Sequence, residues 1–347
     1  VAACLRIAQI FYDHFSEESD MNARDCEMIK GLRRSGAALA LITCIGCVAP
    51  SVARAQDTTS GAAARPGLAA WLRQRLAQRG MARKAYAERC VELSYGSAPL
   101  QKLDYWRATS SSAPLVIFVH GGAWMAGDKG NATGEQKIRH CLEQGYAFAS
   151  LNYRLYPSAT VEEQAHDVAA GVAYLVAHAS ALGFDPQRVV LMGHSAGAHL
   201  AALVSTDLHY LKEAGVPPTA LRGVVLLDGA GYDVPGQMTD RGPMLETYVK
   251  VFGTDHERQV ALSPFYHAAA PNAPAFLILH VQRPDGIAQS RAFAEALRKA
   301  GTSVEIRGFE GQGLIGHMEI NRRLGDPGYP ATPVVDEWLK RVFAQTK

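Results

Sequence analysis

The run Val189-Val190-Leu191-Met192-Gly193-His194-Ser195-Ala196-Gly197-Ala198-His199-Leu200-Ala201-Ala202-Leu203 constrains this chain more than any other stretch. A β-branched apolar segment stops at Gly-x-Ser-x-Gly and resumes rich in Ala and Leu, which reads as strand, sharp turn and helix. Gly193 and Gly197 omit the side chains that would collide where the helix folds back on the strand. Ser195 then falls at the apex of the turn with its hydroxyl over the sheet edge. The pattern by itself recurs in ordinary loops. The flanking strand and helix are what make Ser195 a candidate nucleophile.

Strand-like and helix-like segments alternate around that turn. Residues 91–95 and 102–106 read as an antiparallel hairpin. Short apolar runs follow at 115–119, 146–151, 188–192, 223–227, 275–279 and 303–309, separated by helical patterns at 133–144, 161–179, 195–206 and 287–300, with a last one near 332–344. This alternation predicts the α/β class, with a mostly parallel sheet covered on both faces. The irregular stretch 229–272 is expected to be an insertion or partial cap on a single domain spanning 67–347. Its Tyr232, Met238, Met244, Tyr248, Phe252, Phe265 and Tyr266 belong either to the site or to the core. Residues 67–88 have the spacing of a basic amphipathic helix, read as packed on the domain with an acidic membrane surface as the alternative. Residues 56–66 read as a linker.

A net charge of +2 on 347 residues gives no electrostatic reason to expect nucleic acid as a partner. Near the N-terminus, Lys30-Gly31-Leu32-Arg33-Arg34 precedes the apolar run 37–49 and the small-residue site Ala53-Arg54-Ala55. This is the layout of a secretory signal, with cleavage expected after Ala55 and a periplasmic or secreted product. The apolar run falls short of the roughly 20 residues of a membrane span, so no integral span is expected in the mature form. Met28 offers an alternative start that would set residues 1–27 aside. Cys44-Ile-Gly-Cys47 lies inside the apolar run and reads as part of the signal rather than as a metal or redox site. Arg33-Arg34 also fits twin-arginine export. Cys90 and Cys141, the only cysteines beyond this segment, are either two buried thiols or one disulfide.

In open parallel sheets ligands bind beyond the C-terminal ends of the strands, so the residues after each apolar run are the ones to inspect. After Val119 comes His120-Gly121-Gly122-Ala123-Trp124. Two adjacent glycines there let the backbone N–H groups of Gly121 and Gly122 join that of Ala196 as donors to an oxyanion. Gly122 and Gly127 have phosphate-loop spacing, but Asp128-Lys129 follows with no Ser or Thr for magnesium. Asp285 lies beyond Leu279 and His317 beyond Phe309, giving the order Ser195, Asp285, His317 expected of a nucleophile, acid and base. His317 would take the Ser195 proton, and Asp285 would hold its tautomer and stabilise the imidazolium. Chain order favours Asp285 over Asp228 and Asp233, and His317 over His280. His194 and His199 read as packing or pocket-lining residues, and His120 as a brace for its own loop. No metal site is expected.

Together His120-Gly-Gly-Ala-Trp124, Gly127-Asp-Lys129, Asn152-Tyr-Arg154, Gly193-His-Ser-Ala-Gly197 and the Asp285/His317 pair resemble the α/β-hydrolase superfamily over residues 91–345. The similar branch is that of the His-Gly-Gly-x-Trp esterases, which includes feruloyl-esterase-like, hormone-sensitive-lipase-like and kynurenine-formamidase-like enzymes. The resemblance implies an eight-stranded sheet, cofactor-free cleavage of acyl bonds and an oxyanion hole from Gly121, Gly122 and Ala196, with Trp124 expected to contact substrate. One departure is visible. Acid loops of the family often run His-Gly-x-x-Asp, whereas Val281 follows His280 here and the acid falls one position later. The expected activity is hydrolysis of small carboxylic esters through an acyl-enzyme on Ser195. The alternatives are an arylformamidase of the same fold and a non-catalytic binding protein built on it.

Overall fold

A computed structural model describes residues 89–345, apart from Pro218, Asp240, Arg241 and Pro243. The expected signal segment, linker and basic amphipathic helix lie outside the described residues. The strands are β1 (Cys90–Ser94), β2 (Lys102–Trp106), β3 (Ala113–Val119), β4 (Ala147–Leu151), β5 (Phe184–His194), β6 (Leu221–Leu227), β7 (Ala275–Gln282) and β8 (Ser303–Gln312). They form one eight-stranded sheet in the order β1-β2-β4-β3-β5-β6-β7-β8. β1 and β2 make the expected hairpin, and β2 meets β4 antiparallel. All later pairings are parallel.

The central strands are apolar on both faces because both faces are covered. Leu115, Ile117 and Val119 of β3 join a core with Val189 and Leu191 of β5 and Val224 and Leu226 of β6. Their alternate neighbours Val116, Phe118, Val190, Met192, Val225 and Leu227 face a second core on the other side. The first core is closed by the helices Val161–Ala177 and Ala196–Thr206, the second by Ala331–Ala344, which supplies Val335, Trp338 and Leu339. Two-sided burial of this kind is what continuous apolar runs indicate in parallel sheets. The helix Val161–Ala177 opens on a capping box. Thr160 Oγ1 accepts from the Glu163 N–H at 3.3 Å, and Glu163 Oε2 accepts from the Thr160 N–H at 2.8 Å.

Cys90 and Cys141 are free thiols, so the open choice between thiols and a disulfide falls to thiols. Burial pushes the Cys90 thiol up to about 11 and the Cys141 thiol up to about 12, which leaves both protonated at neutral pH. Among the described residues, no helix is long and apolar enough to cross a membrane.

Strand β5 passes directly into the helix Ala196–Thr206, and the approach of their backbones is tight. A Cβ on Gly193 would lie 2.3 Å from the Gly197 carbonyl oxygen, and one on Gly197 would lie 2.2 Å from that of Val119. Backbone cannot rotate away as a side chain can. Gly193→Ala is therefore expected to lower the unfolding free energy by about 3 kcal/mol, the upper part of the range for overpacking. Urea denaturation of the variant checks this, and a cost below about 1 kcal/mol would mean that the helix entry can shift.

Candidate active site

Ser195 has φ 55° and ψ −121°, a backbone conformation that side chains other than glycine rarely adopt. Such a conformation costs on the order of 1–3 kcal/mol and persists only where its surroundings enforce it. Three features do so. The Ser195 N–H donates to Leu227 O at the end of β6 (3.1 Å), the helix Ala196–Thr206 is buried along its whole length, and the two elbow glycines admit close backbone approach. Ala196 is the first residue of that helix, so its N–H has no partner within the helix.

The His120–Trp124 loop lies against this turn. A Cβ on Gly121 would sit 3.0 Å from Ser195 Cβ and 2.9 Å from His194 Nδ1, which places bare backbone beside the serine. The other motif residues hold that loop. The Tyr153 hydroxyl donates to His120 O at 3.0 Å, and its ring stacks on the His120 imidazole at 4.5 Å. Asn152 donates to Asp128 Oδ2 at 2.8 Å and accepts from the Lys129 N–H at 2.5 Å. Arg154 grips the buried Asp167 with Nε and Nη2, at 2.8 and 2.9 Å. His120 braces its own loop as expected, and burial lowers its pKa, so it is neutral at pH 7.

The imidazole of His317 faces a different carboxylate from the expected one. Its Nδ1 lies 2.6 Å from Asp228 Oδ2, at the end of β6, the strand next to β5. The expectation that Asp285 fills this place is corrected, because Asp285 sits in the first turn of the helix Pro284–Lys299 and is ion-paired to Arg283 at 3.6 Å. Asp228 is fully buried, whereas the Asp285 side chain is 26% exposed. Burial alone would push the Asp228 carboxyl up. The His317 hydrogen bond, the Arg283 guanidinium 3.3 Å away and the Val281 N–H outweigh it and hold the group below the ordinary carboxylate value. The dyad is thus a carboxylate and an imidazole whose Nδ1–H is directed at it, which leaves Nε2 as the nitrogen free for chemistry.

His317 also sits on the helix Gly313–Arg323 rather than on a loop. His194 Nε2 donates to His317 O at 2.8 Å, and the two rings lie 4.5 Å apart. Burial, and next the neighbouring His317, hold His194 well below the ordinary histidine value, so it packs as a neutral ring. One turn beyond His317, the Lys137 ammonium donates to the backbone and side-chain oxygens of Asn321. His280, the rival base, is buried with Nδ1 3.2 Å from Val281 O, and it is His317 that hydrogen-bonds Asp228.

The expectation for Trp124 is also corrected. Its indole is 1% exposed, donates to His199 Nδ1 at 3.2 Å and packs edge-on against Phe252 at 4.8 Å. The residue therefore ties the helix Leu245–Phe252 of the insertion to the His120–Trp124 loop instead of presenting a surface to substrate. Tyr232, Tyr248 and Phe252 are core as well, while Tyr266 is exposed. The insertion itself contains three short helices, Val234–Thr239, Leu245–Phe252 and His256–Ala261.

Among the described residues, one group could hold a metal ion: His166, His209 and Glu213, all exposed and on helices other than those of the dyad and elbow. His209 and Glu213 are four residues apart on one short helix, a pairing that the sequence reading passed over.

Residues 103–215 match the family described as BD-FAE. A probable isoprenylcysteine α-carbonyl methylesterase of Oryza sativa is 30% identical over 243 residues, covering 64% of this chain and 56% of that protein. A probable carboxylic ester hydrolase of Mycobacterium tuberculosis is 29% identical over 224 residues, covering 60% of this chain and 51% of that protein. The chain thus spans about half the length of the curated relatives it matches. Among solved structures, the butyrate-bound esterase Est2 of Thermogutta terrifontis aligns with TM-score 0.60 and 24% identity over 75% of this chain and 96% of the other. Esterase B of Lactobacillus rhamnosis aligns with TM-score 0.60 and 22% identity over 79% and 93%. These structures share the fold.

Two measurements test the geometry directly. The Nδ1–H of His317 is expected to give a far-downfield proton resonance that Asp228→Asn displaces and Asp285→Asn leaves in place; the opposite pattern would restore Asp285 to the imidazole. The second concerns His199, whose Nε2 donates to Leu262 O at 2.8 Å and whose pKa burial lowers to about 4. Below the ordinary value of 6.5 the unfolded chain gains a proton here that the folded chain refuses. Its contribution is complete above pH 6.5 and is lost as pH falls toward 4, a change of about 3 kcal/mol. His199→Gln should flatten the stability profile in that window, and an unchanged slope would show that His199 accepts its proton without unfolding.

Proposed function

We propose that this chain, a member of the α/β-hydrolase superfamily on its esterase branch, hydrolyses small carboxylic esters through an acyl-enzyme on Ser195. The observation that carries the reading is the convergence of three adjacent sheet positions: Ser195 after β5, the His317–Asp228 pair beside β6, and bare backbone at Gly121 after β3. In this mechanism the Ser195 hydroxyl attacks the ester carbonyl carbon while His317 Nε2 takes its proton. The N–H groups of Gly121, Gly122 and Ala196 receive the oxyanion as the carbonyl π bond breaks. Collapse re-forms that bond and expels the alcohol oxygen, which takes the proton from His317. Water then repeats the sequence on the acyl-enzyme and releases the carboxylic acid. Asp228 serves as the acid of the triad, since its charge stabilises the imidazolium formed in each step.

The similarity to a probable methylesterase and a probable carboxylic ester hydrolase favours an ester over a formamide. The exposed Leu314 and Ile315, on the same helix as His317, add an apolar surface suited to an acyl chain. Ser195→Ala is expected to lose at least about 10³-fold in turnover of p-nitrophenyl acetate, and Asp228→Asn a similar factor, with Asp285→Asn losing far less. A fluorophosphonate probe should label the wild-type chain and not the Ser195 variant. Retained turnover in Ser195→Ala would end the nucleophile assignment. Turnover of N-formylkynurenine without turnover of the ester would move the enzyme to the arylformamidase reading.

A further inference from the structure

Arg283 occupies an unusual place beside the dyad. Its Nε lies 3.3 Å from Asp228 Oδ2, the same oxygen that faces His317 Nδ1 at 2.6 Å. Its Nη2 donates to Gly229 O at 3.1 Å, and the far side of its Nε faces Asp285 Oδ1 at 3.6 Å. Asp285 is held in turn by Gln237 Nε2 at 3.3 Å. The approach of the helix Pro284–Lys299 is cut to fit. A Cβ on Gly286 would lie 2.9 Å from Arg283 Nη2 and 3.2 Å from Asp228 Oδ1, so any side chain there would crowd the pair. The sequence order that offered Asp285 as the acid has therefore delivered a carboxylate to the neighbourhood of the dyad, but with a guanidinium interposed.

We propose that Arg283 is the positioning residue for Asp228 and that Asp285 is the counter-charge that sets how strongly Arg283 acts. The inference rests on the serine-hydrolase reading above. Arg283 is not a catalytic residue, since it acts on the imidazole only through the carboxylate. It does two things at once. A guanidinium charge 3.3 Å from Oδ2, itself anchored through Nη2 on Gly229 O, together with the Val281 N–H on Oδ1 at 3.1 Å, favours the orientation of the carboxylate that meets His317. A positive charge next to Asp228 also offsets part of the anionic field that the carboxylate sets up at the imidazole. Asp285 opposes this by neutralising part of the Arg283 charge.

The other charged or titratable groups around Asp228 leave that assignment intact. From β5, His194 is neutral. Tyr232, beyond β6, and Tyr329, beyond the His317 helix, interact with Asp228 electrostatically, and burial raises both phenols, so they carry no charge at neutral pH. Tyr248 faces Arg283 and Asp285 and is raised likewise by burial. Arg283 is the cation in the immediate surroundings of the carboxylate.

The test is the pH profile of kcat/KM on p-nitrophenyl acetate for the full chain and the variants Arg283→Gln, Arg283→Lys and Asp285→Asn. Removing the positive charge in Arg283→Gln should move the acid limb upward by roughly half to one pH unit. Asp285→Asn, which frees Arg283 to act on Asp228 alone, should move it downward. Arg283→Lys should return most of the wild-type limb and little of the kcat, because it restores charge without the planar fork. Limbs that stay in place in both charge variants, or that move in the same direction, overturn the proposal. If Arg283→Gln does not fold, the direction of the Asp285→Asn shift decides by itself. Failure of the underlying reading looks different: the wild-type chain would then neither turn over the ester nor take the fluorophosphonate label at any pH.

Discussion

The arrangement depends on how closely two backbones pass at the Ser195 turn. Gly193 of β5 has no room for a Cβ against the start of the helix that follows it, and Gly197 has none against the end of β3. That contact forces Ser195 out of the ordinary backbone regions and leaves the Ala196 N–H without a helical partner. The same approach lets Gly121 come within van der Waals reach of the serine side chain. The proposed nucleophile and oxyanion donors are thus products of one packing constraint. The two cores on either side of the sheet hold that constraint in place.

Much of this is legible in the sequence because two-sided burial writes itself plainly. β3 and β6 end in the apolar runs 115–119 and 223–227, and a polar residue at the end of such a run stands out as a site candidate, as His120 does after Val119. The elbow is legible for the same reason. The helix Gly313–Arg323 is not, since Gly311, Gly313 and Gly316 read as a loop. The structure gives one of these glycines another purpose: a Cβ on Gly316 would lie 2.4 Å from the Gly311 carbonyl carbon, so Gly316 permits close packing at the helix start rather than flexibility.

Asp228 and Asp285 show where a rule of chain order gives out. Both follow strands of the same sheet, and order alone favours the later one. What decides is burial and the partner on the free oxygen. Asp228 follows β6 beside β5 and donates its own N–H to Leu279 O at 2.7 Å, which locks its backbone, whereas Asp285 lies in the first turn of the helix Pro284–Lys299, partly exposed and paired with Arg283. The departure from the His-Gly-x-x-Asp pattern at Val281 was the one sequence signal pointing this way, and Val281 is the residue whose N–H now serves Asp228. Trp124 misled for a related reason. An aromatic beside two glycines at a strand end suggests a ligand surface, but here it is the peg on which the insertion hangs.

The placement of His317 on a helix has a bearing on how the proposed reaction would cycle. The backbone of that helix is held by His194 at His317 and by Lys137 at Asn321, from two different elements of the fold. A base on a surface loop can swing into position when substrate arrives and away when product leaves. A residue on a doubly moored helix has only its side-chain torsions to turn, so in the proposed mechanism the proton carrier would be in register before any substrate is present, and whatever gates entry and exit would lie in other segments.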